Sequence, residues 1–259
     1  MMNNYRGFTL VELMVALGIC IVIIGAIYAA VTTGQRSSAA MLQKVVAHQD
    51  ARASLELMAM EIQMASFNPM KTTGNWLVAT GAGACSNASP NQWPAAANFR
   101  GIQEATPTSI TVEMDINQNC STNSNPTCMQ GSSNSNEVIR YEYLPGASDQ
   151  RITRSTNCGT AQPFLGSSVA GQKTVRVIND VNGNGTMDAG DLPVFRYFTS
   201  TGVEIPAANL MTATRPNIQD IQRIEITLSV ETEDVAADTR QRRQMIYSTS
   251  IIPRNHVIP

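Results

Sequence analysis

Histidine residues are few and the net charge is small in this chain of 259 residues, and each scarcity argues against a class of function. The only two histidines, His48 and His256, lie far apart in sequence, so their spacing indicates neither a zinc site nor a base beside a nucleophile. The formal net charge is only −2, which supplies no electrostatic argument for a nucleic-acid partner. We therefore expect neither an enzyme nor a nucleic-acid-binding protein.

Charge is absent altogether from Leu13 to Val31, a run of 19 residues. A helix of that length spans about 28 Å, which is enough to cross the hydrocarbon core of a bilayer. One carboxylate, Glu12, stands immediately before this run. A charge within hydrocarbon costs roughly 2.5–3.5 kcal/mol, so we expect Glu12 to have a function that offsets this cost.

Three interpretations of residues 1–31 compete. A secretory signal has an apolar core of about 7–15 residues followed by a small-x-small cleavage site. Here the apolar run is longer, and the nearest such pattern, Ser38-Ala39-Ala40, lies well past its end. A plain membrane anchor explains the length of the run but leaves Glu12 unexplained. The third interpretation is a cleaved signal that also directs assembly.

The segment Gly7-Phe8-Thr9-Leu10-Val11-Glu12 closely resembles the signal of type IV prepilins. The resemblance implies that a prepilin peptidase removes the leader 1–7 by cutting between Gly7 and Phe8, and that Phe8 becomes N-methylated. It also implies that Glu12 meets the terminal amine of a neighbouring subunit and sets the register of assembly. Residues 8–34 would form the transmembrane half of the assembly helix, and residues 35–259 a periplasmic globular domain.

The helix is predicted to continue well beyond the apolar run, because no proline occurs before Asn68-Pro69. One helix from Phe8 to about Phe67 would be roughly 90 Å long. Its second half needs a partner for one apolar stripe with helical spacing. The predicted stripe is Leu42, Val45, Val46, Leu55, Met58, Ile62 and Ala65, with Met60 and Met64 also expected in the core.

Strand patterns dominate the rest of the chain, which predicts an α+β fold with an antiparallel sheet packed on the helix. We expect a loop-rich insertion at 70–135 and a β-rich region at 106–252. The predicted strands are Ser109–Asp115, Glu137–Leu144, Lys173–Ile178, Val194–Thr199, Ile221–Val230 and Gln244–Ile252.

Four of the five cysteines follow the apolar run, in the part of the chain that the resemblance sends to an oxidising compartment. An even number there predicts two disulfides, with free thiols as the alternative. Three connectivities are possible. The short loop rich in Asn, Ser and Pro favours Cys120–Cys128, which leaves Cys85–Cys158. Cys20 lies within the apolar run and acts there as a small hydrophobe.

The acidic, glycine-rich segment Asp180–Asp191 fits a twelve-residue calcium loop, although its last position is Asp rather than Glu. Strand patterns flank it, unlike the helices of an EF-hand, so an ordinary Asx- and Gly-rich connection is the alternative. The predicted calcium ligands are the side chains of Asp180, Asn182, Asn184, Asp188 and Asp191 and the carbonyl of Thr186.

The length, the cysteine-containing insertion and the late β-rich region most resemble PilW-type minor pilins, with GspJ-type pseudopilins as the nearest relatives. The resemblance implies a non-enzymatic part in type IV pilus assembly and twitching motility. The implied partners are other minor pilins, the major pilin, the inner membrane and the prepilin peptidase, with a large tip adhesin as a further candidate. A minor pseudopilin of type II secretion and an adhesive or DNA-uptake subunit at the pilus tip are the alternatives.

Overall fold

The computed structural model describes residues 7–69, 78–79, 85–86, 101–118, 136–146, 150–157, 159–167, 175–210, 217–233, 235 and 241–257. It confirms the predicted α+β class, with one long helix followed by antiparallel sheets. Helix α1 covers Leu10–Gln63, 54 residues, which corresponds to about 80 Å. Two short helices, α2 (Ala207–Leu210) and α3 (Arg254–Val257), and a 3₁₀ turn at Ile218–Asp220 occur later in the chain.

Helix α1 ends several residues before the predicted stop at Pro69, because tertiary contacts intervene. Ser66 adopts a left-handed conformation with φ of 65°, which cannot continue an α-helix. Its N–H donates to the carbonyl of Glu113 at 2.8 Å, and its hydroxyl lies 3.0 Å from Nδ1 of His256. The helix therefore stops where the chain bonds to the sheet.

The described strands form two larger sheets and one two-stranded pair, whereas a single sheet was expected. Sheet one is five-stranded in the order β3-β4-β5-β6-β7, and every neighbouring pair is antiparallel. In sheet two, β10 pairs with β11 along one edge and with β8 and β9 in succession along the other. The strands are β1 Val78–Ala79, β2 Cys85–Ser86, β3 Ile102–Ala105, β4 Ser109–Glu113, β5 Val138–Leu144, β6 Arg151–Thr156, β7 Gln162–Leu165, β8 Val175–Val177, β9 Phe195–Phe198, β10 Arg223–Thr232 and β11 Gln244–Ile251.

All six predicted strands are confirmed with boundaries shifted by up to two residues. Three strands of sheet one were missed, namely β3, β6 and β7. Strand β3 lies in the stretch that was assigned to loop, and β6 has a polar pattern because arginine, threonine and serine occupy five of its six positions. The range 70–135 thus contains the core strands β3 and β4 as well as loop.

The second half of α1 packs on β10 and β11, with further contacts to β7 and β8. Its buried apolar side chains are Ala47, Ala51, Leu55, Met58, Ile62 and, just after its end, Ala65. They join a single core with the inward-facing residues of both sheets.

The apolar stripe was predicted correctly from Leu55 onward and wrongly before it. Leu42, Val45 and Val46 are exposed, because the buried part of α1 begins only at Ala47. Beyond that point two alanines make the contact, which allows the helix backbone to approach the sheet closely. Met60 and Met64 are also exposed, since they face away from the sheets that bury Met58.

A buried carboxylate connects α1 to sheet one. Glu61 lies on the same helical face as Met58 and Ile62, and its side chain is only 11% exposed. It accepts two hydrogen bonds from Arg154 of β6, at 2.7 and 3.0 Å, and one from the hydroxyl of Tyr141 of β5. Burial and the neighbouring carboxylate raise the pKa of Tyr141, so the phenol stays protonated and donates.

Replacing Glu61 by alanine is expected to lower the free energy of unfolding by about 3–5 kcal/mol, because Arg154 would stay largely buried without its counterion. Chemical denaturation of the full chain in detergent micelles measures this. The matched control is Glu56→Ala on the same helix. Glu56 pairs with Arg52 at 3.0 Å, but both side chains are 67% exposed, so the expected change is within about 0.5 kcal/mol. Equal losses in the two variants would contradict the role of Glu61.

Candidate assembly site and acidic loop

Helix α1 begins with a capping box that uses the carboxylate of Glu12. The hydroxyl of Thr9 accepts from the N–H of Glu12 at 3.3 Å. In return, the carboxylate accepts from the Thr9 N–H at 2.9 Å and from its hydroxyl at 3.0 Å. A Thr-x-x-Glu spacing before an apolar run is the sequence signature of a capping box. The sequence therefore contained the information that Thr9 caps the helix, but this role was not predicted.

The capping box would survive a cut between Gly7 and Phe8. Both residues lie outside the helix, and Phe8 is 91% exposed. The N–H that Thr9 donates belongs to the Phe8–Thr9 peptide bond, which that cut leaves intact. The single chain therefore satisfies Glu12 locally, while the carboxylate remains at the exposed end of the helix.

The apolar half of α1 has no partner within the described chain. Its large hydrophobic side chains from Phe8 to Val31 are all exposed. Among the described residues, α1 is the one helix that is long and apolar enough to cross a membrane, and its most apolar 18-residue window is entirely unburied. A surface of this kind needs lipid or other helices to cover it.

The acidic loop is anchored to the core on its amino-terminal side. Asn179 is buried and donates to the carbonyls of Leu192 and Thr227, while its own side-chain oxygen accepts from the N–H of Ser229. The N–H of Asp180 donates to the hydroxyl of Tyr143 at 3.0 Å. Burial raises the pKa of Tyr143 to about 12.

Within the loop, carboxylates and amides are occupied by one another and by the backbone. Asp180 accepts from the N–H groups of Gly183 and Gly185 at 2.7 and 2.8 Å, and both glycines have positive φ. The side-chain amides of Asn182 and Asn184 donate to Asp188 at 3.0 and 2.9 Å. The side chains that were predicted as calcium ligands thus hold the loop together by hydrogen bonds to one another and to the backbone.

The remaining predicted ligands also take part in this hydrogen bonding. Asp191 accepts from the N–H groups of Val181 and Asp188 at 2.9 and 2.8 Å. Thr186 bonds through its N–H and hydroxyl to the side-chain oxygen of Asn184. Among the residues that the structure describes, no group of three or more His, Cys, Asp or Glu side chains is arranged to hold a metal ion. The oxygen-rich set suits calcium chemically, and the calcium site stays a prediction.

The predicted disulfides cannot be followed in the structure. Cys120, Cys128 and Cys158 lie outside the described residues, and of Cys85 only the backbone, in β2, is described. Cys20 is exposed on α1 as a free thiol. The two pairings stay predictions.

Comparison with known proteins bears on the amino-terminal segment. Residues 2–28 match the family described as the prokaryotic N-terminal methylation motif. No curated protein and no solved structure shows a significant match to the chain. The motif supports a type IV pilin-like, membrane-anchored protein of a pilus or pseudopilus, which interacts with other pilins and a prepilin peptidase.

Asp188 provides a test of the loop by pH. The N–H of Gly190 and the amides of Asn184 and Asn182 hold the pKa of Asp188 below its usual range. These bonds therefore stabilise the loop above the unfolded-state pKa and are lost as the pH falls through the lower folded-state value. We expect the Gly190 amide shift in NMR spectra to titrate with a midpoint below about 3.9. Asn184→Ala should raise that midpoint, and a wild-type midpoint at or above the ordinary value would contradict these contacts.

Proposed function

We propose that this chain is a minor pilin that takes part in the initiation and assembly of a type IV pilus. The observation that carries the proposal is the methylation motif, with Glu12 placed at the start of an uninterrupted 54-residue helix whose apolar half is exposed. A structural protein that must first reside in the membrane and then pack among other helices needs this combination.

In the proposed mechanism the peptidase cuts between Gly7 and Phe8, and Phe8 gains a methyl group on its new amine. In the single chain Glu12 is satisfied by Thr9. During assembly the carboxylate exchanges these neutral donors for the ammonium of an adjacent subunit, which is a stronger, charge-assisted partner. A subunit in the wrong register would leave a buried charge unpaired, at a cost of about 3–5 kcal/mol, so Glu12 acts as a register device.

The globular part, in this proposal, projects into the periplasm and acts by contact rather than by catalysis. Glu61 and the apolar contacts from Ala47 onward hold it rigidly on the second half of α1. A position set by Glu12 at one end of the helix is thereby transmitted to the sheets at the other. Other minor pilins, the major pilin and a tip adhesin are the partners that such a subunit would meet.

Two other functions use the same amino-terminal segment. A minor pseudopilin of a type II secretion system would leave piliation normal when its gene is deleted, and would abolish secretion. An adhesive or DNA-uptake subunit would act through the loops at 70–135, of which the segment 119–135 connects β4 to β5. Replacing that segment by a short linker should then abolish binding while pili persist.

Glu12→Ala is expected to abolish or strongly reduce piliation and twitching while the protein still accumulates in the inner membrane. Insertion should not suffer, because the substitution makes the segment more apolar. Electron microscopy and quantitative blotting of membrane fractions measure the two effects separately. Glu56→Ala, which removes an exposed carboxylate from the same helix, is the matched control and should leave pili unchanged. Normal pili in Glu12→Ala would rule out the register role.

We propose in addition that the loop Asp180–Asp191 binds calcium. Asp180, Asp188 and Asp191 bring three carboxylates into twelve residues, and Asn182, Asn184 and the carbonyl of Thr186 add neutral oxygens. The amide groups that now donate to Asp188 are weaker partners for a carboxylate than a divalent cation. Calcium would replace them and stiffen the connection between β8 and β9.

Calorimetric titration of the full chain in detergent micelles tests this loop. We expect Asp188→Asn to remove the one equivalent of calcium that this loop binds, because that change removes the charge on which both amides converge. Asp220→Asn, which changes an exposed carboxylate in the 3₁₀ turn, is the control and should bind as the wild type does. Binding that is undiminished in Asp188→Asn would exclude this loop as the site.

A further inference from the structure

Two carboxylates are buried together at the far end of sheet one. Asp115 follows β4 and Glu137 precedes β5. The two residues are 0% and 1% exposed, respectively. The backbone joins the two segments, since the N–H of Met114 donates to the carbonyl of Glu137 at 2.9 Å. Burial and, to a smaller extent, electrostatic repulsion from Asp115 raise the pKa of Glu137.

Three of their four carboxylate oxygens have no hydrogen-bond partner in the part of the chain that the structure describes. They are both oxygens of Asp115 and Oε2 of Glu137. The fourth, Oε1 of Glu137, accepts from the N–H groups of Ile116 and Asn117, each at 3.0 Å. A buried carboxylate without partners costs several kcal/mol, so this arrangement requires a positively charged or donating species between the two groups.

Among the residues that the structure describes, no basic side chain bonds to the three oxygens that lack a partner. Arg154 donates to Asn136, which precedes Glu137, but its guanidinium is bound to Glu61 at 2.7 and 3.0 Å. The N–H of Asp115 donates to the carbonyl of Phe67 at 2.8 Å, which places Asp115 next to the carboxyl end of α1. The helix dipole makes the electrostatic potential at that end more negative. The surroundings favour a cation over two bare carboxylates.

A single proton satisfies this pair less well than a metal ion does. One shared O–H would donate to one oxygen and leave at least one of the three still without a partner. The two backbone N–H groups on Oε1 also favour the ionised form of Glu137 and fix its orientation. A divalent cation, in contrast, offers several coordination positions to the oxygens that lack a partner among the described residues.

We propose that Asp115 and Glu137 bind one divalent cation, of the calcium class, at the junction of β4, β5 and the end of α1. Calcium takes six to eight oxygen ligands at flexible geometry, so water and backbone carbonyls complete a shell that two carboxylates begin. The ion would tie the end of the long helix to the strand ends that flank residues 119–135. This site is separate from the loop Asp180–Asp191 and does not depend on the proposed pilus function.

The experiment uses the full chain in detergent micelles and carries Asp188→Asn throughout, so that calcium binding at the acidic loop does not contribute. In this background we expect one equivalent of calcium by calorimetry, and at 100 times the Kd a rise in Tm of roughly 5 °C. Adding Asp115→Asn or Glu137→Gln should abolish both. The Tm without calcium should rise in the Asp115→Asn chain, because the repulsion between the two carboxylates is gone.

Two outcomes would overturn the proposal. The first is calcium binding that persists in Asp115→Asn and in Glu137→Gln. The second is a chain that does not bind calcium but gains stability between pH 7 and pH 5, with that gain lost in Asp115→Asn, which would assign a shared proton to the pair. The other titratable groups on the packed elements are unchanged in every variant and provide the common background of the pH series; they are Glu61, Glu113, Arg140, Tyr141, Glu142, Tyr143 and His256.

Discussion

The contact between Glu61 and the pair Arg154 and Tyr141 is the interaction on which the rest of the structure depends. It joins α1 to two neighbouring strands of sheet one, β5 and β6. It thereby fixes the rotation of the helix about its own axis and its position along that axis relative to the sheet. A buried ion pair adds little net stability compared with an apolar contact, but its loss is heavily penalised, so it specifies one arrangement. Sheet two then covers the remaining apolar face of α1 from Ala47 onward.

Helix α1 thus carries two glutamates with opposite roles. Glu61 is buried and finds its charged partner inside the same chain, whereas Glu12 is exposed and has only the neutral donors of Thr9. About 49 residues of continuous helix separate them, which is about 73 Å. The helix is fixed to the globular domain by Glu61 at one end and presents the carboxylate of Glu12, without a charged partner, at the other. Packing of its apolar half can therefore determine where the globular domain lies.

The sequence predicted those parts of the fold that depend on local pattern, and failed where tertiary contacts decide. The long helix and six strands followed from periodicity and turn residues. Strand β6 was missed because its arginine and hydroxyl side chains look solvated, although Arg154 is held by Glu61. The stripe was extended wrongly to Leu42, because periodicity does not tell how far the sheets reach. Glu61 itself was detectable as a charge at a stripe position, three residues after Met58.

The most direct test of the account is the mass and amino-terminal sequence of the protein recovered from the membrane of the cell that makes it. We predict a chain that lacks residues 1–7 and begins at Phe8 with one methyl group on its amine, which provides the positive charge that Glu12 is to meet. A mature chain that keeps its leader, or that is cut past the apolar segment, would contradict it, since Glu12 would then have no amine of this kind or would itself be removed.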